Sequence, residues 1–135
     1  MNDSSERGRP SASGSRKRLG DAGERLAASW LGARGYHEVA RNWRCPYGEI
    51  DLIVERKGEL VFVEVKTRRG DRLGAPEEAI TPTKRGRLIN AAQMYLIEHA
   101  AEQRPFRIDV VAVQLSSVGK LVAVRHYPAS VGAEE

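Results

Sequence analysis

The chain has 135 residues, 22 Lys and Arg against 18 Asp and Glu, 41% hydrophobic content and a single cysteine. That is enough for one compact domain and too little for two. No apolar run approaches the ~20 residues that span a bilayer, the N-terminus lacks the apolar stretch of a secretory signal, and Cys45 has no partner for an intramolecular disulfide, so a cytoplasmic location is expected.

The net charge is +4, of which residues 1–19 carry +3 and the rest of the chain +1. A surface that attracts nucleic acid must therefore come from local clustering of basic side chains, not from a general field.

Residues 1–19, rich in Ser, Gly and Arg and poor in apolar side chains, read as a disordered basic tail. From Asp21 to about Arg34, Ala22, Leu26, Ala27, Trp30 and Leu31 recur at helical spacing, and Gly35 is placed to stop the helix. A strand is predicted from about Tyr36 to Arg44. After the Pro46-Tyr47-Gly48 turn, two further strands over 49–56 and 59–67 form a hairpin. Arg68 to Ala75 reads as a mobile basic loop. Thr81-Pro82 resembles a helix start, followed by an inward stripe of Leu88, Ala92, Tyr95, Leu96 and His99 to about Ala101. Strands over 106–115 and about 120–127 close the domain at residues 20–127, leaving 128–135 as a frayed tail. The order α-β-β-β-α-β-β predicts an α/β fold with a mixed five-stranded sheet flanked by helices.

The hairpin carries the chemistry. If Lys57-Gly58 is a two-residue turn, with Gly58 supplying positive φ, paired positions sum to 115. Asp51 then faces Glu64, and Glu49 faces Lys66. Side chains directly opposite on one face stand about 4.5–5.5 Å apart at Cβ, close enough for two carboxylates to share one ion. Ile50, Leu52, Val54, Val61, Val63 and Val65 form the other, core-facing side, while Leu60 and Phe62 on the charged side predict that it is partly covered. Unpaired charge is costly to bury, so such a cluster implies a cation. Mg²⁺ or Mn²⁺, held by Asp51, Glu64 and the main-chain carbonyl of Val65, would polarise a phosphodiester and activate water. Lys66 would orient the nucleophile or stabilise charge on phosphate. The plainer alternative is a solvated sheet face with cross-strand salt bridges such as Glu49–Lys66.

Glu24 lies at the edge of the first helix's buried stripe, where it reaches the sheet or simply complements the helix dipole. Arg68, Arg69 and Arg72, with Lys84, Arg85 and Arg87 near the start of the second helix, form a phosphate-contacting rim or an ordinary soluble surface. Asp109 interrupts an apolar strand and is read as a buried partner of Arg107. His37, His99 and His126 are scattered without cysteine partners, which argues against a zinc site.

Gly23-Glu24, Arg41-Asn42-Trp43-Arg44, Gly48-Glu49-Ile50-Asp51-Leu52-Ile53, the segment Val61 to Arg68 and Arg107-Ile108-Asp109-Val110-Val111 resemble the YraN family. These are bacterial predicted endonucleases similar to archaeal Holliday-junction resolvases, within the PD-(D/E)xK superfamily. The resemblance covers about Leu19 to Tyr127 and implies a restriction-endonuclease-like core. It gives Asp51, Glu64 and Lys66 the aspartate, glutamate and lysine roles and Glu24 the helix acid; Glu49, opposite Lys66, and Thr67 are read as supporting residues. Ile50 stands where the nominal motif has proline. The implied activity is metal-dependent DNA cleavage, with branched DNA as a candidate substrate and a homodimer as the symmetry that paired cuts would require. The rival reading is a non-catalytic nucleic-acid- or protein-binding module that keeps the fold.

Overall fold

The computed structural model describes residues 12–70 and 81–131. In chain order they form α1 (Ala12–Gly32), β1 (His37–Cys45), β2 (Gly48–Arg56), β3 (Glu59–Arg69), α2 (Pro82–Glu98), β4 (Phe106–Leu115) and β5 (Leu121–Val131). The element order and the mixed five-stranded sheet are those expected. Strands lie in the order β1-β2-β3-β4-β5, antiparallel except for β3 and β4, which run parallel. That parallel step needs a long crossover, and α2 lies within it.

Each helix covers one face of the sheet. Ala27, Leu31 and Tyr36 pack with Leu52, Val54, Val61, Val63, Val111 and Val113 on one side. Leu88, Ala91, Ala92, Tyr95 and Leu96 of α2 pack with Ile53, Leu60, Phe62, Ile108 and Val110 on the other. Leu60 and Phe62 are thus covered, as their place beside the charged residues suggested.

Several boundaries differ from expectation. α1 starts at Ala12 and not at Asp21, so residues 12–19 are helical where a disordered tail was expected, while residues 1–11 lie outside the described part. Straight-chain residues such as Arg16, Lys17 and Arg18 propagate a helix already anchored at its apolar end. Arg68 and Arg69 continue β3 instead of opening a loop, because β4 offers them ladder partners in Gln114 and Leu115. β5 runs on to Val131, taking in residues 128–131 of the expected C-terminal tail; residues 132–135 lie outside the described part. α2 ends at Glu98, and His99 is its exposed C-cap, stacked on Tyr95 with ring centroids 3.9 Å apart instead of turned into the core.

The hairpin register holds where the two strands pair. Lys57 and Gly58 have φ of 53° and 83°, the pair of left-handed residues a type I′ turn requires. Pairs then run from Arg56↔Glu59 to Leu52↔Val63. Beyond them the alternation slips. Ile50 joins Ile53 in the α2-side core, and Trp43 and Ala40 of β1 pack against that same cluster. In both strands residues three apart share a face, so β1 and β2 pass through one irregularity together, at Asn42 and Asp51. Asn42 has φ of 54° there. Ile50 was expected on the face of Leu52 and Val54; a strict period of two does not survive such a kink.

α1 sits on β3 through Gly23, which is buried. A Cβ at that position would overlap Thr67 Oγ1 and lie 2.9 Å from Thr67 Cβ and 3.0 Å from Thr67 Cγ2, so rotating the threonine does not relieve the clash. Helix propensity alone would make Gly23→Ala stabilising by about 0.5–1 kcal/mol. The close approach predicts the reverse, a loss of about 1–3 kcal/mol from overpacking, partly recovered by adding Thr67→Ala. Thermal melts of the three variants read this directly, and a rise in Tm for Gly23→Ala would contradict the packing.

Candidate active site

The kink at Asp51 determines what its side chain does. Asp51 Oδ2 accepts the Val65 main-chain N–H at 2.8 Å, a donor that a regular strand would direct to a neighbouring backbone. In an extended strand the N–H and C=O of one residue point to the same neighbour. The Val65 carbonyl is therefore turned towards the same gap, beyond the last β2–β3 pair, Leu52↔Val63.

Glu64, adjacent to Val65, is only 3% exposed. It faces α2, and its Oε2 pairs with Lys84 Nζ at 2.8 Å and Lys66 Nζ at 3.2 Å. The Lys84 backbone is fixed by the helix cap, in which its N–H donates to Thr81 Oγ1 at 3.1 Å. Pro82 stands in the first turn, where a missing N–H costs nothing.

Asp51, Glu64, Thr81 and Lys84 border a cleft of about 410 Å³ between the β1–β2 turn and the start of α2. Asp51, Glu64, Glu49, Lys84 and Arg87 line it, with Tyr47, Thr81 and Thr83. Asp51 and Glu64 both border this cavity, although the β2–β3 pairs end at Leu52↔Val63, short of the expected Asp51–Glu64 pair. In place of the expected Glu49–Lys66 pair, Lys66 forms an ion pair with Glu64.

The charges of the site disturb one another. Burial, then the nearby Glu64 charge, pushes the Asp51 carboxyl up to about 8 against the Val65 hydrogen bond. Burial and the neighbouring Lys84 pull Lys66 below the usual lysine range despite Glu64. For Lys84 burial works the other way from the outcome: the hydrogen bond and charge of Glu64 prevail and hold it above its ordinary value.

Glu24 lines a neighbouring depression with Lys17, Asp21, Asn42 and Arg44, and Glu49 borders both cavities. Its Oε1 accepts from Asn42 Nδ2 at 2.9 Å. Burial, with Glu49 and Asp21 nearby, raises its carboxyl above the usual range although the Asn42 hydrogen bond opposes this. Among the described residues, no group of three or more His, Cys, Asp or Glu side chains is gathered closely enough to hold a metal ion.

The remaining candidates separate by position. Thr67 lies beneath Gly23 and packs α1. Arg85 is exposed and does not border the cleft, unlike Lys84 and Arg87. Arg69 extends towards Gly119 in the β4–β5 turn, and Arg68 stands beside it in β3; Arg72 lies outside the described residues.

Asp109 is fully buried on the α1 side and belongs to a different network. Its carboxylate accepts from Arg107 Nε at 2.9 Å, Ala129 N–H at 2.8 Å and His126 Nε2 at 2.7 Å. Burial opposes its ionisation, but these donors outweigh burial and hold it below the ordinary aspartate range. The structural reading of Asp109 holds.

Sequence reasoning did not single out Tyr47, Thr81 and Thr83 as cleft residues. Their signal was available for Thr81 alone, as a cap that had to sit at the end of a helix crossing the sheet.

Residues 23–113 match a family described as "Uncharacterised protein family UPF0102". The chain belongs to this family. A UPF0102 protein of Roseiflexus castenholzii is 47% identical over 119 residues, covering 87% of this chain and 96% of the relative. A second UPF0102 protein, from Symbiobacterium thermophilum, is 51% identical over 105 residues, 78% of this chain and 89% of its own. A third, from Beutenbergia cavernae, is 50% identical over 101 residues, 75% and 86% respectively. UPF0102 is the YraN family to which the motif segments pointed. Among the described residues no helix is long and apolar enough to cross a membrane.

The Asp51 environment has a measurable sign. A carboxyl raised from 3.8 to about 8 on folding keeps its proton in the folded state over that window, so its contribution to stability is present at low pH and is lost as pH rises towards 8. Asn at position 51 has no charge to bury. In metal-free buffer, the Tm advantage of Asp51→Asn over the parent chain is expected to grow from pH 5 to pH 8; a constant difference would contradict the raised Asp51 carboxyl.

Proposed function

We propose that this UPF0102 chain is a divalent-metal-dependent DNA endonuclease that hydrolyses phosphodiesters in the cleft between the β1–β2 turn and α2. The observation that carries the reading is Asp51. It is a half-buried carboxyl next to the buried carboxylate of Glu64, tied by one main-chain N–H and pushed up to about 8. Such a group gains most from a cation.

The donor chemistry fits Mg²⁺ or Mn²⁺. Asp51, Glu64 and the carbonyl of Val65 are hard oxygen donors, and ions of this kind take few protein ligands and complete their shells with water and substrate phosphate. Two carboxylates at the cleft therefore suffice, with Glu24 and Glu49 acting from the adjoining depression. The ion, when bound, polarises the phosphorus–oxygen bond and lowers the pKa of water.

The chain's own residues do the rest. Asp51 and Glu64 fix the charge of the site, and α2 covers the hairpin on this face so that water is partly excluded and electrostatic effects are strengthened. Lys66, held below the usual lysine range by burial and Lys84, is suited to exchange a proton with the attacking water or to stabilise charge on the phosphate. Thr81, Thr83 and Arg87 present hydroxyls and a guanidinium along one wall, groups that contact phosphate and position a strand without reading its sequence. Arg68, Arg69 and Arg85 would extend that contact outside the cleft. Branched DNA is the proposed substrate class, cut by a homodimer whose two-fold axis matches a paired cut, in the cytoplasm.

A second reading has one observation in its favour: Glu64 is already neutralised by two lysines. In that case the chain is a binding module whose carboxylates are structural, and its affinity for DNA does not depend on metal.

Incubation with linear, flapped and four-way DNA separates the two. The endonuclease reading expects cutting that needs Mg²⁺ or Mn²⁺, stops on chelation, falls by at least ~10²-fold in Asp51→Ala and Glu64→Ala, and rises with pH towards 8 as Asp51 gives up its proton. Absence of any cut that Asp51→Ala abolishes, with DNA bound equally in chelator, would establish the binding module instead.

A further inference from the structure

One oxygen of Glu64 holds two ammonium groups. Lys84 Nζ lies 2.8 Å and Lys66 Nζ 3.2 Å from Oε2, and Asp51 is the other carboxyl whose charge bears on Lys84. A carboxylate oxygen that also ligated a divalent ion would bring that ion close to both ammoniums, and like charges at such separations repel strongly in a partly buried site. One of the lysines must withdraw.

The two are not equally placed to do so. The Lys66 side chain is 21% exposed and stands on the same strand as Glu64, two residues away. Lys84 is 42% exposed and comes from another element, at the open side of the cleft. Its main chain stays put, because the Thr81 cap holds its N–H, while its four-carbon stem leaves the ammonium free to swing. Thr81, Thr83 and Arg87 line the wall into which it would move.

We propose that Lys84 is a built-in counter-ion of Glu64 that a divalent cation displaces, and that the freed ammonium then pairs with a phosphate of the strand in the cleft. The same side chain thus shields the buried carboxylate before loading and binds substrate after it. DNA contact becomes coupled to metal loading with no movement of the backbone. This rests on the metal-dependent reading above, so its test must separate the two.

Mn²⁺ affinity, read by electron paramagnetic resonance of the free ion, is compared for the wild-type chain, Lys84→Met and Asp51→Asn. Affinity for a short phosphorothioate duplex, whose slow hydrolysis permits an equilibrium measurement, is read by anisotropy with Mn²⁺ and with chelator. Lys84→Met, which keeps the apolar stem and removes the charge, is expected to bind Mn²⁺ about 3–10-fold more tightly, the scale of an ion pair of moderate exposure. It should bind the duplex about 3–10-fold more weakly in Mn²⁺, with a smaller change in chelator. Equal or weaker Mn²⁺ affinity in Lys84→Met, with binding still lost in Asp51→Asn, would overturn the counter-ion role and leave the metal site standing. Mn²⁺ binding that Asp51→Asn does not reduce would overturn the metal site itself. Should Lys84→Met fail to melt cooperatively, Lys84→Gln carries the same expectations.

Discussion

The hydrogen bond from the Val65 N–H to Asp51 is the constraint on which the site depends. It replaces a ladder contact at the place where β1 and β2 kink together, and it turns a side chain that a regular strand would send above or below the sheet towards the neighbouring strand. Three consequences follow from that one substitution of carboxylate for carbonyl. Asp51 is half-buried, the Val65 carbonyl faces the same gap, and Glu64, the residue before Val65, projects to the α2 side with its charge close to that of Asp51. A buried polar group with too few partners is expensive, and here the shortage is built into the sheet.

The contrast with Asp109 shows that this is not simply how the fold treats buried acids. Asp109 is fully buried on the α1 side of the sheet, and Asp51 is half-buried between β2 and β3. Asp109 receives Arg107, His126 and the Ala129 N–H, enough to keep it ionised, and the network joins β4 to the edge strand β5. Among the described residues Asp51 receives one neutral hydrogen-bond donor, the Val65 N–H, and the repulsion of Glu64 and Glu24 outweighs the attraction of Lys84. A satisfied buried network fixes structure, whereas an under-satisfied one holds a place for something else. Glu64 stands between these cases: it is satisfied, but by lysines that reach it from two different elements.

Much of the fold could be read from residue pattern because the relevant forces are local. The Lys57-Gly58 turn set the hairpin register, Thr81-Pro82 marked a helix start, and the apolar run of β4 placed a buried strand. What escaped had non-local causes. The start of α1 at Ala12 depends on an anchored helix propagating into polar residues, and the extension of β3 to Arg69 depends on pairing with a strand some 45 residues later in the chain. Ile50 packs on the face of Ile53 and not that of Leu52, in a stretch of β2 beside Asn42 of β1, whose φ is positive. In the site, Asp51, Glu64 and Lys66 were legible from spacing; Lys84 was legible only as a surface charge, since nothing in its local sequence says that α2 lays its first turn over Glu64. Thr67 was legible as part of a motif, but its packing against Gly23 required the helix to be in place.

The central claim is that the Asp51–Glu64 cleft is a divalent cation site. Crystals soaked in Mn²⁺ and measured for anomalous scattering test it most directly. The account predicts a peak between the two carboxylates, at about 2.1–2.2 Å from their oxygens as such ions require, with the Lys84 ammonium withdrawn from Glu64. Well-ordered crystals in which Glu64 remains closed between Lys66 and Lys84, with no anomalous density at Asp51, would contradict it.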